Sequence, residues 1–350
     1  MGRSEFEALR ALSARVGADP ALVQGAGGNT SIKEDGILWI KASGLWLMNA
    51  LKSDVMVPVA LAPLLDALRR NDPSAEKAQD YVVRERNPSG LRPSIETTVH
   101  ALMPQAVVVH VHCVETIALA VHADAETRAA EKLAGIPHAY VPYARPGLPL
   151  ARAIAARITP DTRMLILGNH GLAVAADTVA EADALLERVS GMLAAARRTA
   201  PAADPAFLSE HAEGSSFTLP DDAAIHDAAT DPASLAVAAG GSLYPDHVIF
   251  LGKGSVIAGP GETALSIETA LREKDLPLPP AILFPGKGVL VAKGATPGAL
   301  AMARCLSDVA GRIAPGAELR YLTDGENAEL LGWDAEKYRQ QLEREGNVRS

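Results

Sequence analysis

Cysteine is nearly absent from this 350-residue chain, which contains only Cys113 and Cys305. The two lie far apart and form no Cys-x-x-Cys pair, which argues against a disulfide scaffold and against a cysteine-ligated zinc site. The nine histidines are better candidates for metal ligands.

An excess of positive charge and a long hydrophobic run are also missing. Lys and Arg number 33 against 42 Asp and Glu, so the formal net charge is −9. That sign is wrong for a protein that binds nucleic acid or lies on anionic lipid. The start of the chain lacks the core of a signal peptide, and no apolar run reaches the roughly 20 residues of a membrane helix. We therefore expect a cytoplasmic protein. We expect no nucleic-acid or membrane partner, and a local site must hold any anionic small-molecule substrate.

The length of the chain and changes in its composition predict two domains. The first domain covers 1–200. Residues 201–234 begin with a proline-rich stretch that has few periodic apolar positions, and we expect a linker or surface crossing there. A small α/β domain follows over 235–350.

Apolar spacing and β-branched runs predict the main elements of both domains. The expected helices cover 4–17, 62–70, 95–102, 181–198, 297–313 and 333–342, and the expected strands lie within 32–40, 106–112, 163–167, 247–251, 255–258, 281–284 and 289–292. A Gly-Lys-Gly turn separates each of the last two pairs of strands. The repeat could mark a duplicated unit or a nucleotide loop, but two hairpin turns are favoured because neither copy has the full spacing of a P-loop.

Two histidines in one short segment suggest a metal site. His110 and His112 lie two residues apart in a predicted strand, so both rings project from the same face. His170 follows a separate buried strand, in a glycine-flanked turn, and could supply a third nitrogen. Three histidines with one position left for water or substrate are typical of catalytic zinc. The alternative for each histidine is a simple hydrogen-bonding role in the core.

Two residues on the helix that precedes this strand could take part in the chemistry. Glu96 lies in the predicted first turn, where the helix dipole favours its anionic form, and is a candidate general base. His100 lies four residues on, along the same helix face. It could be a competing metal ligand, a hydrogen-bond partner of Glu96, or a packing residue.

A glycine-rich segment could bind an anion. Residues 27–31 offer backbone N–H groups, the amide of Asn29 and the hydroxyls of Thr30 and Ser31 within five positions. Lys33 and the Ser43-Gly44 turn would add donors if the following hairpin folds back on this loop.

These motifs, taken together, resemble those of the class II aldolase/adducin family. The resemblance is carried by five segments in the family's order: Gly28-Asn29-Thr30-Ser31, Ala42-Ser43-Gly44, Pro93-Ser94-Ile95-Glu96, His110-Val111-His112 and Gly168-Asn169-His170-Gly171. They span roughly residues 1–195. The joint pattern is far more specific than any one of its parts.

The resemblance implies a role for each site residue. His110, His112 and His170 would hold Zn2+ or a similar divalent metal ion, Glu96 would act as acid and base, and Tyr143 would help to move protons. The substrate's phosphate would be held by residues of the loop, the turn and the helix start: Gly28, Asn29, Ser31, Lys33, Ser43, Gly44 and Ser94.

The resemblance also implies the architecture. We expect an α/β protein, three-layer α/β/α with a largely antiparallel central sheet, plus the smaller C-terminal α/β domain, assembled as a homotetramer. Residues 235–350 resemble the tail of longer members related to rhamnulose-phosphate aldolases. The dehydrogenase fused to some of those relatives is not expected, because no Gly-x-Gly-x-x-Gly opens a βαβ unit. Lys33 replaces the family's usual arginine and Ile95 a frequent serine, and both changes weaken the phosphate site.

The resulting hypothesis is a metal-dependent aldolase. It would cleave a ketose phosphate or related sugar acid by a retro-aldol reaction, leaving an enediolate that the metal stabilises. A 4-epimerase, dehydratase or decarboxylase acting at the same site is the alternative. Members without the metal histidines are not enzymes, so a non-catalytic, adducin-like interaction protein is the alternative of another class.

Overall fold

A computed structural model describes residues 3–334 and 342, which form two compact units. Of these residues, the first unit contains 3–120, 124–194 and 342, and the second contains 121–123 and 195–334. No helix in the described part of the chain is long and apolar enough to cross a membrane.

The first unit is built on a seven-stranded sheet. Its strands are β1 (Asn29–Glu34), β2 (Ile37–Lys41), β3 (Met56–Ala60), β4 (Val107–Val111), β5 (His138–Val141), β6 (Met164–Leu167) and β7 (Gly171–Ala176). They lie in the order β3-β2-β1-β4-β7-β6-β5, and every neighbouring pair is antiparallel except β5 and β6. The expected hairpin of β1 and β2 is confirmed.

Helices cover both faces of this sheet. They are α1 (Arg3–Ala18), α2 (Leu61–Arg69), α3 (Thr97–Leu102), α4 (Val114–Ala120), α5 (Ala125–Lys132), α6 (Leu148–Ala155) and α7 (Val179–Leu193). Alternate residues of β4 point to opposite faces. Val107, Val109 and Val111 pack with α1, α4, α5 and α7, whereas Val108 packs with α3 and α6. The expected three-layer α/β/α arrangement is confirmed.

The second unit has a four-stranded sheet in the order β8-β11-β10-β9. Its elements are α8 (Pro205–His211), β8 (Phe217–Thr218), α9 (Asp227–Thr230), α10 (Pro232–Ala239), α11 (Pro245–Leu251), β9 (Val256–Ile257), α12 (Ala264–Glu273), β10 (Ala281–Phe284), β11 (Gly288–Ala292), α13 (Pro297–Ala310) and α14 (Asp324–Gly332). The hairpin of β10 and β11 is confirmed.

Two expectations for the second unit are wrong. Residues 201–234 are not a linker, because they contain three helices and the strand β8, which pairs with β11. Pro205, which belongs to the proline-rich stretch, and Pro232 lie in the first turns of helices capped by Asp204 and Asp231.

Residues 247–251 belong to a helix rather than to a strand. Pro245 begins α11. Burial of this helix in the second unit outweighs the preference of its β-branched side chains for strands. The first Gly-Lys-Gly turn therefore follows a helix, and β9 pairs in parallel with β10 instead of forming a second hairpin. Two other predicted helices end early, at Leu193 and Ala310, and most of the predicted helix over 333–342 falls outside the described residues.

Candidate active site

The three predicted metal-binding histidines meet at one end of the first unit's sheet. His110 lies near the end of β4, His112 directly follows that strand, and His170 lies in the turn between β6 and β7. The ring centroids are 5.1 Å apart for His110 and His112, 5.0 Å for His110 and His170, and 5.2 Å for His112 and His170. The structure therefore brings together the three residues that the sequence singled out.

Glu96 joins this group from the start of α3. Its Oε2 lies 3.2 Å from Nε2 of His110, and its Oε1 lies 3.3 Å from Nε2 of His170. One ligand atom from Glu96 and one from each of the three histidines all lie within 4.8 Å of one another, and all four residues are buried. We call these four residues the Glu96 cluster.

The Glu96 cluster has the chemistry of a metal site. Nδ1 of His110 lies 3.0 Å from the carbonyl oxygen of Leu172, so Nδ1 carries the proton in the neutral ring and Nε2 turns its lone pair toward Glu96. A lone pair and a buried carboxylate this close need a cation between them, either a proton or a metal ion. Three imidazoles and one carboxylate suit Zn2+ or a similar divalent ion.

The surroundings keep Glu96 ionised. Burial raises the pKa of its carboxyl, but without a metal the protons held on the facing Nε2 atoms of His110 and His170 outweigh burial and hold the pKa well below its ordinary value. Glu96 is thus a carboxylate at neutral pH, as a metal ligand or a general base must be.

Asn29 holds the Glu96 carboxylate. Its Nδ2 donates to Oε2 of Glu96 at 2.9 Å and to Oγ of Ser94 at 3.1 Å. Asn29 is placed there by strand register, because it lies directly opposite His110 in the pairing of β1 with β4. Asn29 and Ser94 are therefore at the site, but their side chains bind protein groups.

The expected start of helix α3 is wrong by two residues. The helix begins at Thr97 with Glu96 as its N-cap, and no side chain caps it. Ser94 instead accepts a hydrogen bond from the backbone N–H of Glu96 at 3.2 Å. Glu96 thus precedes the first turn, where its side chain can reach the histidines.

His100 is neither a metal ligand nor a partner of Glu96. Its ring is fully buried and bonds to two residues of β1, with Nδ1 2.7 Å from Oγ of Ser31 and Nε2 in contact with Oδ1 of Asn29. The hydroxyl of Ser31, which was expected to bind substrate, is also fully buried and bonds His100 instead.

Lys33 does not reach the site. Its Nζ donates to the carbonyl oxygens of Met103 and Gln105, and its backbone N–H bonds to Ala106. Ala106 is four residues before His110 along the chain, which corresponds to about 13 Å in a strand. Asn29 and Lys33 thus lie toward opposite ends of β1, a separation that motif spacing alone did not convey.

A different lysine organises the glycine-rich loop. Lys41, at the end of β2, is buried and donates through Nζ to the carbonyl oxygens of Ala26 at 2.7 Å and of Gly28 at 2.9 Å. Gly28 is required for close approach, because a Cβ there would lie 2.9 Å from the carbonyl oxygen of His110 at a φ of +60°. Sequence reasoning missed Lys41, since a strand-terminal lysine normally extends to solvent.

The Ser43-Gly44 turn lies beside the segment that leads to Glu96. The backbone N–H of Ser43 donates to the carbonyl oxygen of Arg92 at 2.9 Å, and that of Ser94 donates to Lys41 at 3.0 Å. Gly44 has a φ of +77°, which favours glycine, and a Cβ there would lie 2.6 Å from Cδ1 of Leu342.

Two further residues bear on the predicted site. Gln24 was missed, and its Nε2 donates to the carbonyl oxygens of Pro20 at 2.7 Å and of His112 at 3.2 Å, which fixes the backbone of a metal-site histidine. Tyr143 follows β5, and its backbone nitrogen lies close to Gly168, two residues before His170. Its role in moving protons stays a prediction.

Comparisons with known proteins show which family the chain matches. Residues 7–196 match the family model described as Class II Aldolase and Adducin N-terminal domain. The chain is 30% identical over 178 residues to a protein named Uncharacterized oxidoreductase YuxG of Bacillus subtilis (strain 168), covering 47% of this chain and 25% of that protein. This chain therefore matches only about a quarter of that relative's length.

Solved structures that are similar to about half of the chain include the following two. The N-terminal class II aldolase domain of a conserved protein from Thermoplasma acidophilum is 26% identical with a TM-score of 0.48, covering 55% of this chain and 93% of that one. The l-fuculose-1-phosphate aldolase from Thermus thermophilus is 19% identical with a TM-score of 0.37, covering 55% of this chain and 93% of that one.

Replacing Lys33 by Met should affect stability but not the Glu96 cluster. Burial lowers the pKa of Lys33 from 10.5 to about 7, so the unfolded chain binds more protons than the folded chain between these values. The wild-type free energy of unfolding should therefore rise, relative to that of Lys33→Met, as the pH increases from 7 to 10. Urea unfolding at several pH values measures this difference.

The same variant tests whether Lys33 belongs to the site. Zn2+ affinity should match wild type, because the Lys33 amine bonds to carbonyl oxygens at the far end of β1. A large loss of Zn2+ affinity in a folded Lys33→Met protein would show instead that Lys33 belongs to the site.

Proposed function

Because the chain belongs to the class II aldolase and adducin family, we propose that it is a divalent-metal-dependent lyase that cleaves a ketose phosphate or related sugar acid by a retro-aldol reaction. The observation that carries the proposal is the Glu96 cluster, in which an ionised carboxylate and three imidazoles converge away from solvent. A non-catalytic role would not require these four side chains to meet.

Each residue of the cluster has a task in this reaction. His110, His112 and His170 would hold the metal, most simply Zn2+, and the metal would polarise the substrate's carbonyl and stabilise negative charge. Glu96 accepts the proton of the substrate hydroxyl as the adjacent carbon–carbon bond breaks, and can return a proton to the carbon fragment. Asn29 keeps the carboxylate turned toward the reacting atoms.

The anionic end of the substrate would lie at the Ser43-Gly44 turn. Asn29 and Ser31 use their side chains inside the protein, and Lys33 is elsewhere, so the family's phosphate site is reduced here to the turn and backbone donors. Lys41 supplies a buried positive charge behind the loop, although two carbonyl oxygens accept its hydrogen bonds. We therefore propose weak phosphate binding, with a carboxylate as the alternative anion.

The remaining features of the proposal come from the family resemblance. Tyr143 would help to move protons, and the chain would assemble as a homotetramer. The cytoplasmic location stays a prediction from the sequence. The second unit has no assigned task in the reaction.

A substrate screen tests the proposed activity directly. The Zn2+-loaded protein should be incubated with phosphorylated ketoses, free ketoses and acyl tetronates, and assayed for dihydroxyacetone phosphate, aldehyde and carbon dioxide. We expect an aldehyde together with a ketone fragment. Carbon dioxide, an epimer or a dehydrated product would identify a sibling activity at the same site, and no turnover with any metal or substrate would support an adducin-like protein.

Glu96→Gln separates proton transfer from metal binding. The amide keeps the shape of the carboxylate and the three histidines remain, so the variant should fold and hold one Zn2+ when the ion is supplied in excess, with an affinity lowered by loss of the carboxylate. Its kcat should fall about 10²–10⁴-fold, the usual contribution of a general base. Metal analysis and steady-state kinetics measure the two effects, and turnover near that of wild type would remove Glu96 from the mechanism.

A further inference from the structure

The hydrogen bonds around Asn29 fix the direction of its amide. The amide nitrogen of Asn29 faces Oε2 of Glu96 at 2.9 Å and Oγ of Ser94 at 3.1 Å, so it donates to the carboxylate. The amide oxygen of Asn29 then faces Nε2 of His100. A reversed amide would place an oxygen against the Glu96 carboxylate in a buried environment.

The same logic fixes the tautomer of His100. Burial lowers the pKa of His100 to about 3, so the ring is neutral and has one N–H donor. The amide oxygen of Asn29 can only accept a hydrogen bond, so Nε2 of His100 carries the proton and donates to that oxygen. Nδ1 of His100 is then an acceptor, and the Ser31 hydroxyl, 2.7 Å away, donates to it.

We infer that His100 is a positioning residue, which acts through Asn29 to hold the Glu96 carboxylate against His110 and His170. The relay runs from the hydroxyl of Ser31 through the ring of His100 and the amide of Asn29 to Glu96. All of its members are buried, with exposed fractions of 0% for Ser31 and His100 and 4% for Asn29 and Glu96. Because water cannot replace a missing member, loss of the ring would leave the Asn29 amide free to reverse.

The inference rests on the proposed function only in taking the Glu96 cluster as the metal site. Outer residues that orient metal ligands typically change metal affinity 10–100-fold when they are removed. Zn2+ affinity is therefore the readout, measured by competition with a chelator for wild type, Asn29→Leu, His100→Leu and the double variant. His247→Leu is the matched control, since His247 is a similarly buried histidine of the second unit whose pKa is also lowered to about 3.

The double variant distinguishes positioning from a general structural effect. We expect each single variant to weaken Zn2+ binding about 10–100-fold, and the double variant to bind no more weakly than Asn29→Leu alone. His100→Gln, which can still donate to Asn29, should recover most of the affinity, and His247→Leu should match wild type. Losses that multiply in the double variant, or unchanged affinity in His100→Leu, would overturn the inference.

Two further measurements test the inference if the leucine variants fail to fold or if the chain binds no metal. Ser31→Ala removes only one hydroxyl, and it should weaken Zn2+ binding several-fold; no loss would count against the relay. In the metal-free wild type, ¹⁵N spectra of labelled histidine should show His100 protonated at Nε2 alone, and protonation at Nδ1 would refute the assignment. Absence of lyase activity, with these results intact, would refute the proposed function and leave the relay standing.

Discussion

One buried carboxylate organises the site. Glu96 lies between two sets of groups: the amide of Asn29 donates to it from one side, and His110 and His170 face it from the other. A carboxylate in this environment is stable only while both sets are in place, because burial alone would favour its neutral form. Each of these groups is positioned by a different element: Glu96 by the start of α3, Asn29 by β1, His110 by β4 and His170 by the turn after β6.

The antiparallel sheet is what brings these groups together. Pairing of β1 with β4 sets Asn29 opposite His110, and pairing of β4 with β7 sets the turn that carries His170 next to the end of β4. The tight approach of the strands needs glycine at position 28, where a side chain would meet the carbonyl oxygen of His110. The site is therefore a property of strand register rather than of any single motif.

Residue spacing predicted the four residues of the Glu96 cluster, and the family resemblance carried by the motifs implied the fold of the first unit. The second unit was harder, because the β-branched residues after Pro245 form a helix whose stability comes from tertiary burial. At the site, residue types indicated which side chains can form hydrogen bonds, but not which groups they bond to. Ser31 and Lys33 carry the donors expected of a phosphate site, yet these donors bind His100 and backbone carbonyl oxygens, and Lys41 gave no signal of its burial.

X-ray absorption at the zinc edge tests the central claim, that Glu96 and the three histidines form one metal centre. The purified chain loaded with one equivalent of Zn2+ should show three imidazole nitrogens at about 2.0–2.1 Å, with oxygen completing a shell of four or five ligands. A shell that contains sulfur, or fewer than three imidazoles, would place the metal elsewhere and contradict the account.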